Sequence, residues 1–139
     1  MNEQPSILVV DDELLIRDLL YDFFTGQGWT ISVAENGDKA LDIIAHKPID
    51  LVLSDIKMPE MDGLALTEEL RRAHPEIPVV LMTGFPSVDT AVIALRHRVV
   101  DYVIKPFNIN QLYKTIDAAL KERGHGQSSA GTKGNREKC

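Results

Sequence analysis

Short apolar runs alternate five times with stretches whose apolar positions recur at a helical period, the signature of a parallel sheet covered by helices. The strand candidates are residues 7–10, 30–33, 51–54, 79–82 and 100–104. The first, third and fourth are nearly continuous apolar runs, as strands buried on both faces require. The second is more mixed, which places it nearer an edge. Between the strands, Leu15, Leu19, Leu20 and Phe23 mark a first helix that Gly26 can end. Ala40, Leu41, Ile43 and Ile44 mark a second helix, and Leu66, Leu70 and Ala73 a third. Val88, Ala91, Val92 and Leu95 follow i, i+3, i+4, i+7 spacing, with Ser87 as the N-cap of this fourth helix. Leu112, Ile116, Ala119 and Leu120 mark the fifth. The pattern predicts an α/β fold, a doubly wound five-stranded parallel sheet with five helices.

Composition narrows the class. At 139 residues the chain is sized for one domain. Its 44% hydrophobic and 26% charged content are those of an ordinary soluble globular protein. No apolar run is long enough to cross a membrane and the first residues lack the pattern of a secretion signal, so a cytoplasmic setting is expected. After Arg123 the chain turns Gly/Ser-rich without apolar period, so residues 1–123 form the expected domain and 124–139 a disordered tail or linker. The lone cysteine, Cys139, has no partner for a disulfide or a metal site. Of the net charge of −6, the tail carries +2, which leaves −8 on residues 1–123. An acidic body argues against direct nucleic-acid binding and suits carboxylates gathered around a cation.

Parallel strands joined by helices bring their carboxyl ends to one rim, where ligands bind in such folds. The first strand is followed by Asp11, Asp12 and Glu13, the third by Asp55, the fourth by Thr83 and the fifth by Lys105. Taken singly, Asp11 or Asp12 reads as a helix cap, Thr83 as a loop hydroxyl and Lys105 as a surface lysine. Asp62 before Gly63 reads as a turn and helix N-cap. Four strands delivering polar groups to one rim need a common cause. Clustered carboxylates repel one another unless a cation sits among them, and oxygen donors favour a hard ion such as Mg²⁺. A carboxylate can also serve as the nucleophile that forms an aspartyl phosphate. A lysine and a hydroxyl nearby would supply the charge and hydrogen bonds that phosphoryl transfer needs.

The stretches Ile7-Leu8-Val9-Val10-Asp11-Asp12-Glu13, Asp55-Ile56-Lys57-Met58-Pro59-Glu60-Met61-Asp62-Gly63, Met82-Thr83-Gly84 and Asp101-Tyr102-Val103-Ile104-Lys105-Pro106-Phe107 carry a resemblance. Over residues 6 to about 121, the sequence resembles the receiver domain of two-component response regulators. The resemblance implies a flavodoxin-like (βα)5 fold with strand order 2-1-3-4-5. It implies that Asp55 accepts a phosphoryl group from a sensor histidine kinase or a phosphotransfer protein. By the same similarity Mg²⁺ is held by Asp12, by Asp11 through water, by Asp55 and by the backbone carbonyl of Lys57. Lys105 resembles the lysine that contacts the phosphoryl group, and Lys105–Pro106 the family's cis peptide. Thr83 and Tyr102 resemble the switch pair, in which the hydroxyl moves toward the phosphoryl group and the ring turns inward. The face of the fourth helix, fifth strand and fifth helix then carries the output to an effector domain, a partner protein or a second copy in a phosphorylation-dependent homodimer. No catalysis is implied beyond self-phosphoryl transfer and autodephosphorylation.

One departure stands out. Arg98 and Val99 occupy places where many receivers have Gly-Ala. Arginine takes the left-handed conformation less easily than glycine, so the fourth helix is expected to end differently. Arg96, His97 and Arg98 form a basic patch at that end, either solvated or a docking patch for an acidic partner. Lys57 and Phe85 flank the expected pocket, at places that tune phosphoryl lifetime in the family. Two other functions remain open on the sequence. One is a Mg²⁺-dependent phosphohydrolase working through an aspartyl phosphate, although such enzymes carry a second acid two residues beyond the nucleophile, after the first strand. The other is a degenerate receiver used as a binding surface, against which the intact Asp12, Asp55, Thr83 and Lys105 speak. The run Ser87-Val88-Asp89-Thr90-Ala91-Val92 looks most like receivers attached to ATPase-type transcriptional activators.

Overall fold

The computed structural model describes residues 4–58 and 61–128, the last six of these by backbone alone. Pro59 and Glu60 of the Asp55 motif lie outside the described residues, as do Cys139 and the rest of the tail beyond Ser128. Five parallel strands, β1 (Ser6–Val10), β2 (Thr30–Ala34), β3 (Leu51–Asp55), β4 (Val79–Thr83) and β5 (Asp101–Ile104), stand in the order β2-β1-β3-β4-β5. The connecting helices are α1 (Leu14–Gly26), α2 (Gly37–His46), α3 (Gly63–Ala73) and α4 (Val88–Arg96), and α5 (Ile109–Ser128) closes the fold. Sheet order and helix count agree with the sequence. The mixed second strand is an edge, and the short, partly exposed β5 is the other.

Side chains alternate between the faces of a strand, so each central strand feeds two cores. Leu8, Val10, Val52 and Leu81 pack with Ala40 and Ile44 of α2, Leu66 and Leu70 of α3, and Ala94 of α4. On the other face Ile7, Val9, Leu51, Leu53 and Val80 pack with Leu20 and Phe24 of α1 and Leu112 and Ile116 of α5. β3 and β4 are buried throughout. A fully buried leucine contributes about 1.5–3 kcal/mol relative to exposure, so the strand ends form a stiff platform.

Helix termini are set by local chemistry. The side chains of Asn36, Asp62 and Ser87 accept from the amides of Lys39, Ala65 and Thr90, satisfying donors that have no partner within the helix. The predicted caps at Asp62 and Ser87 are among them. α1 does end at Gly26, but the residue in the left-handed region is Gly28, with φ 90°. The expectation of an altered end to α4 is overturned. Arg98 itself adopts φ 57°, and its N–H donates to the Leu95 carbonyl at 3.0 Å while Val99 N–H reaches Ala94 O at 3.2 Å. The unpaired carbonyls of the last turn need these donors, and that need outweighs the cost of a left-handed arginine. α5 continues to Ser128, past the end expected at Arg123. Glycine costs only about 1 kcal/mol in a helix, and no proline stops this one.

Candidate functional site

Strand register assembles the site. Val10 pairs with Ser54, so Asp11, the next residue along, stands beside Asp55 at the end of β3. Asp55 pairs with Met82, the neighbour of Thr83, and Thr83 pairs with Ile104, the neighbour of Lys105. Lys105 N–H donates to Thr83 O at 2.8 Å, which carries the ladder to the lysine itself. The rim residues singled out in the sequence therefore meet at one place. Asp55 and Thr83 are the last residues of their strands, which run one residue further than expected.

Asp11 is fully buried, Asp55 and Thr83 are buried and Asp12 is exposed. One carboxylate oxygen from each of Asp11, Asp12 and Asp55 lies within 4.8 Å of the others. Lys105 Nζ sits 2.9 Å from Asp11 Oδ2, 3.2 Å from Glu13 Oε1 and 3.6 Å from Asp55 Oδ1. These groups open into a cleft of about 420 Å³ lined by Asp12, Glu13, Asp55, Lys57, Phe85 and Lys105, with Gly84. Lys57 Nζ lies 5.4 Å from the centre of the Phe85 ring, a cation–π pair at the mouth. The Lys105–Pro106 peptide is cis.

The electrostatics are unbalanced. Burial pushes the Asp55 carboxyl up to about 6, and the charge of Asp11 adds to the shift against the pull of Lys105. Burial also raises Asp11, opposed by the Glu13 amide and by Lys105. Burial alone would lower the Lys105 ammonium, but Asp11 and Asp55 outweigh it and hold its pKa above the usual lysine value. Lys105 thus pairs with three carboxylates, Asp11, Glu13 and Asp55, while Asp12 adds a fourth to the cluster and Lys57 stands only at the mouth. A hard divalent ion would correct this deficit, and the oxygen donors of Asp11, Asp12 and Asp55 suit one.

Positioning comes from neighbours as well. Asp11 Oδ1 accepts the Glu13 N–H at 2.9 Å, and Arg17 Nη1 donates to Asp11 O at 2.8 Å. A Cβ on Gly63 would stand 2.3 Å from the Asp55 carbonyl oxygen, so only glycine lets α3 start this close to Asp55. Thr83 Oγ1 accepts the Phe85 N–H at 3.0 Å. Tyr102 bonds through its hydroxyl to the first turn of α4, at 2.6 Å from Thr90 Oγ1 and 3.3 Å from the Ser87 amide. Sequence reasoning missed Arg17, Thr90 and the Glu13–Lys105 pair. Only the Asp11-Asp12-Glu13 run hinted at the last, because a lysine carrying several acids leaves no periodic trace.

Comparison with known proteins agrees with this geometry. A family model described as response regulator receiver domain matches residues 7–117. Transcriptional regulatory protein ZraR of Klebsiella oxytoca is 44% identical over 118 residues, which are 85% of this chain and 27% of that protein. DNA-binding transcriptional regulator NtrC of Escherichia coli (strain K12) is 40% identical over 118 residues, again 85% of this chain and 25% of that protein. The chain thus spans about a quarter of the length of these curated relatives. The crystal structure of the receiver domain of NtrX from Brucella abortus superposes with a TM-score of 0.78 at 39% identity, covering 83% of this chain and 98% of that one. A CheY-like receiver domain protein from Methanospirillum hungatei JF-1 gives a TM-score of 0.86 at 28% identity, covering 88% and 98%.

Proposed function

The chain belongs to the response regulator receiver domain family, and from that premise we propose that Asp55 accepts a phosphoryl group and that this event resets the surface around α4, β5 and α5. The donor in this reading is a phosphohistidine of a sensor histidine kinase or phosphotransfer protein. An Asp55 carboxylate oxygen forms the new bond to phosphorus, the bond from phosphorus to the donor imidazole nitrogen breaks, and that nitrogen keeps the electron pair. Lys105 faces the charge gathering on the transferred group, and the Thr83 hydroxyl donates to one of its oxygens. Asp11, Asp12, Asp55 and the Lys57 carbonyl would hold Mg²⁺, which when bound neutralises carboxylate and phosphoryl charge. The observation that carries the reading is the cluster of Asp11, Asp12 and Asp55 with Lys105 Nζ 3.6 Å from Asp55 Oδ1. Receiver domains are generally not enzymes, and autodephosphorylation is the one further reaction we assign. The residue two beyond Asp55 is Lys57, which cannot supply the second carboxyl of a phosphohydrolase.

The ZraR and NtrC relatives are named as transcriptional regulators, and we assign this chain the receiver role in such a regulator. We assign residues 1–123 to the receiver unit and residues 124–139 to a tail or a linker to an effector, whose first five residues continue α5. Among the described residues no helix is long and apolar enough to cross a membrane, and the setting we assign is cytoplasmic. Acetyl phosphate with Mg²⁺ should add one phosphoryl group per chain by intact mass, and Asp55→Asn should abolish it. Equal labelling of Asp55→Asn, or sustained turnover of an aryl phosphate, would overturn the proposal.

A further inference from the structure

The loop from Thr83 to Ser87 joins the site to α4, and hydroxyls of the two switch residues hold it at both ends. At the near end Thr83 Oγ1 accepts the Phe85 N–H at 3.0 Å. At the far end Tyr102 Oη accepts the Ser87 N–H at 3.3 Å and shares a hydrogen of either hydroxyl with Thr90 Oγ1 at 2.6 Å. Thr90 is no ordinary surface threonine. Its amide donates to Ser87 Oγ at 3.1 Å, the N-cap bond of α4, and its hydroxyl lies 3.0 Å from Ser87 Oγ and 3.2 Å from Ser87 O. Tyr102 is thereby joined to the capping turn of the helix that follows the loop, while its half-buried ring packs on the core formed with Leu81 and Ala94.

We infer that Thr90 is a positioning residue of the switch, whose hydroxyl holds Tyr102 in the arrangement seen here and so sets how hard the site must pull to release it. The inference rests on the phosphorylation reading above and adds to it the residue against which the tyrosine is latched. Turning the ring away from α4 breaks the Thr90 and Ser87 bonds and leaves the Ser87 amide without its acceptor. A ligand at Asp55 can drive that exchange only through its differential affinity for the two arrangements. Weakening the latch therefore raises the competent fraction and the apparent affinity of the site, although Thr90 touches nothing there. A net hydrogen bond of ordinary strength corresponds to a change of about three- to tenfold.

The test uses beryllofluoride, a phosphoryl mimic, titrated with saturating Mg²⁺ into the full chain. Thr90→Val keeps shape and removes the hydroxyl, Thr90→Ser restores it, and Tyr102→Phe removes the other half of the bond. Thr90→Val and Tyr102→Phe should each lower the half-saturating concentration about three- to tenfold. Thr90→Ser should stay within about twofold of the wild type, and the double variant should gain no more than either single one. A purely structural capping role would not give that non-additivity with Tyr102. The inference fails if Thr90→Val matches the wild type, if Thr90→Ser behaves like Thr90→Val, or if the two single effects multiply. A wild-type chain that takes up no beryllofluoride would instead overturn the phosphorylation reading itself, and the Thr90 latch with it.

Discussion

Asp55 is held ionised at neutral pH against both its burial and the charge of Asp11. Its folded pKa of about 6 stands above the ordinary aspartate value of roughly 3.9. Between about pH 4 and 6 the native protein keeps a proton that the unfolded chain has released, so this carboxyl's contribution to stability falls as pH rises through that window. Above it the fold carries the full cost of the charge. In EDTA at neutral pH, Asp55→Asn should therefore raise stability by about 1–2 kcal/mol, a gain in melting midpoint of roughly 4–10 °C. The gain should shrink toward pH 4. On the proposed ligand set, saturating Mg²⁺ should raise the wild-type midpoint more than that of the variant, because the ion would bind the folded cluster and not the unfolded chain. A variant melting below the wild type in EDTA would contradict this account of the site.

At the scale of elements, the strands and helices were legible because burial on two faces and burial on one face write different periods into the chain. Asp11, Asp55, Thr83 and Lys105 were legible as strand-end residues, since register in a parallel sheet brings such positions together. The Mg²⁺ ligand set and the switch pair came from family resemblance, not from periodicity. The end of α4 shows why local preference misled. The need of Ala94 and Leu95 carbonyls for donors fixes the backbone at position 98, whatever side chain is there. Arg98 also sits close enough to Arg71 for its charge to depress that guanidinium's pKa, after the larger effect of burial. Arg98→Gly should relieve both and stabilise the protein by about 0.5–1 kcal/mol, offset in part by the freedom glycine gains on unfolding. Chemical denaturation would measure it, and a lower midpoint for Arg98→Gly would show that the arginine makes a contact worth more than its strain. Tyr102 bonded to Thr90 was beyond sequence reading, because a hydroxyl pair twelve residues apart across two elements has no spacing rule.

For the whole molecule, the rim and the face of α4 and β5 meet at the loop from Thr83 to Ser87. Val88 and Leu95 are 78% and 73% exposed, and Ile104 is 52% exposed at the β5 edge. Apolar groups left open on neighbouring elements suit association. Sedimentation should therefore show a change in self-association when Mg²⁺ and beryllofluoride are added, and Leu95→Glu should suppress it. In the proposed function, chemistry at Asp55 is read out at a distance. Amide chemical shifts recorded by NMR with and without beryllofluoride, in the presence of Mg²⁺, test it most directly. Large shifts should extend from Asp55 and Thr83 through Ser87 and Thr90 to Tyr102, and be absent in Asp55→Asn; shifts confined to residues lining the cleft, with α4 and β5 unmoved, would contradict it.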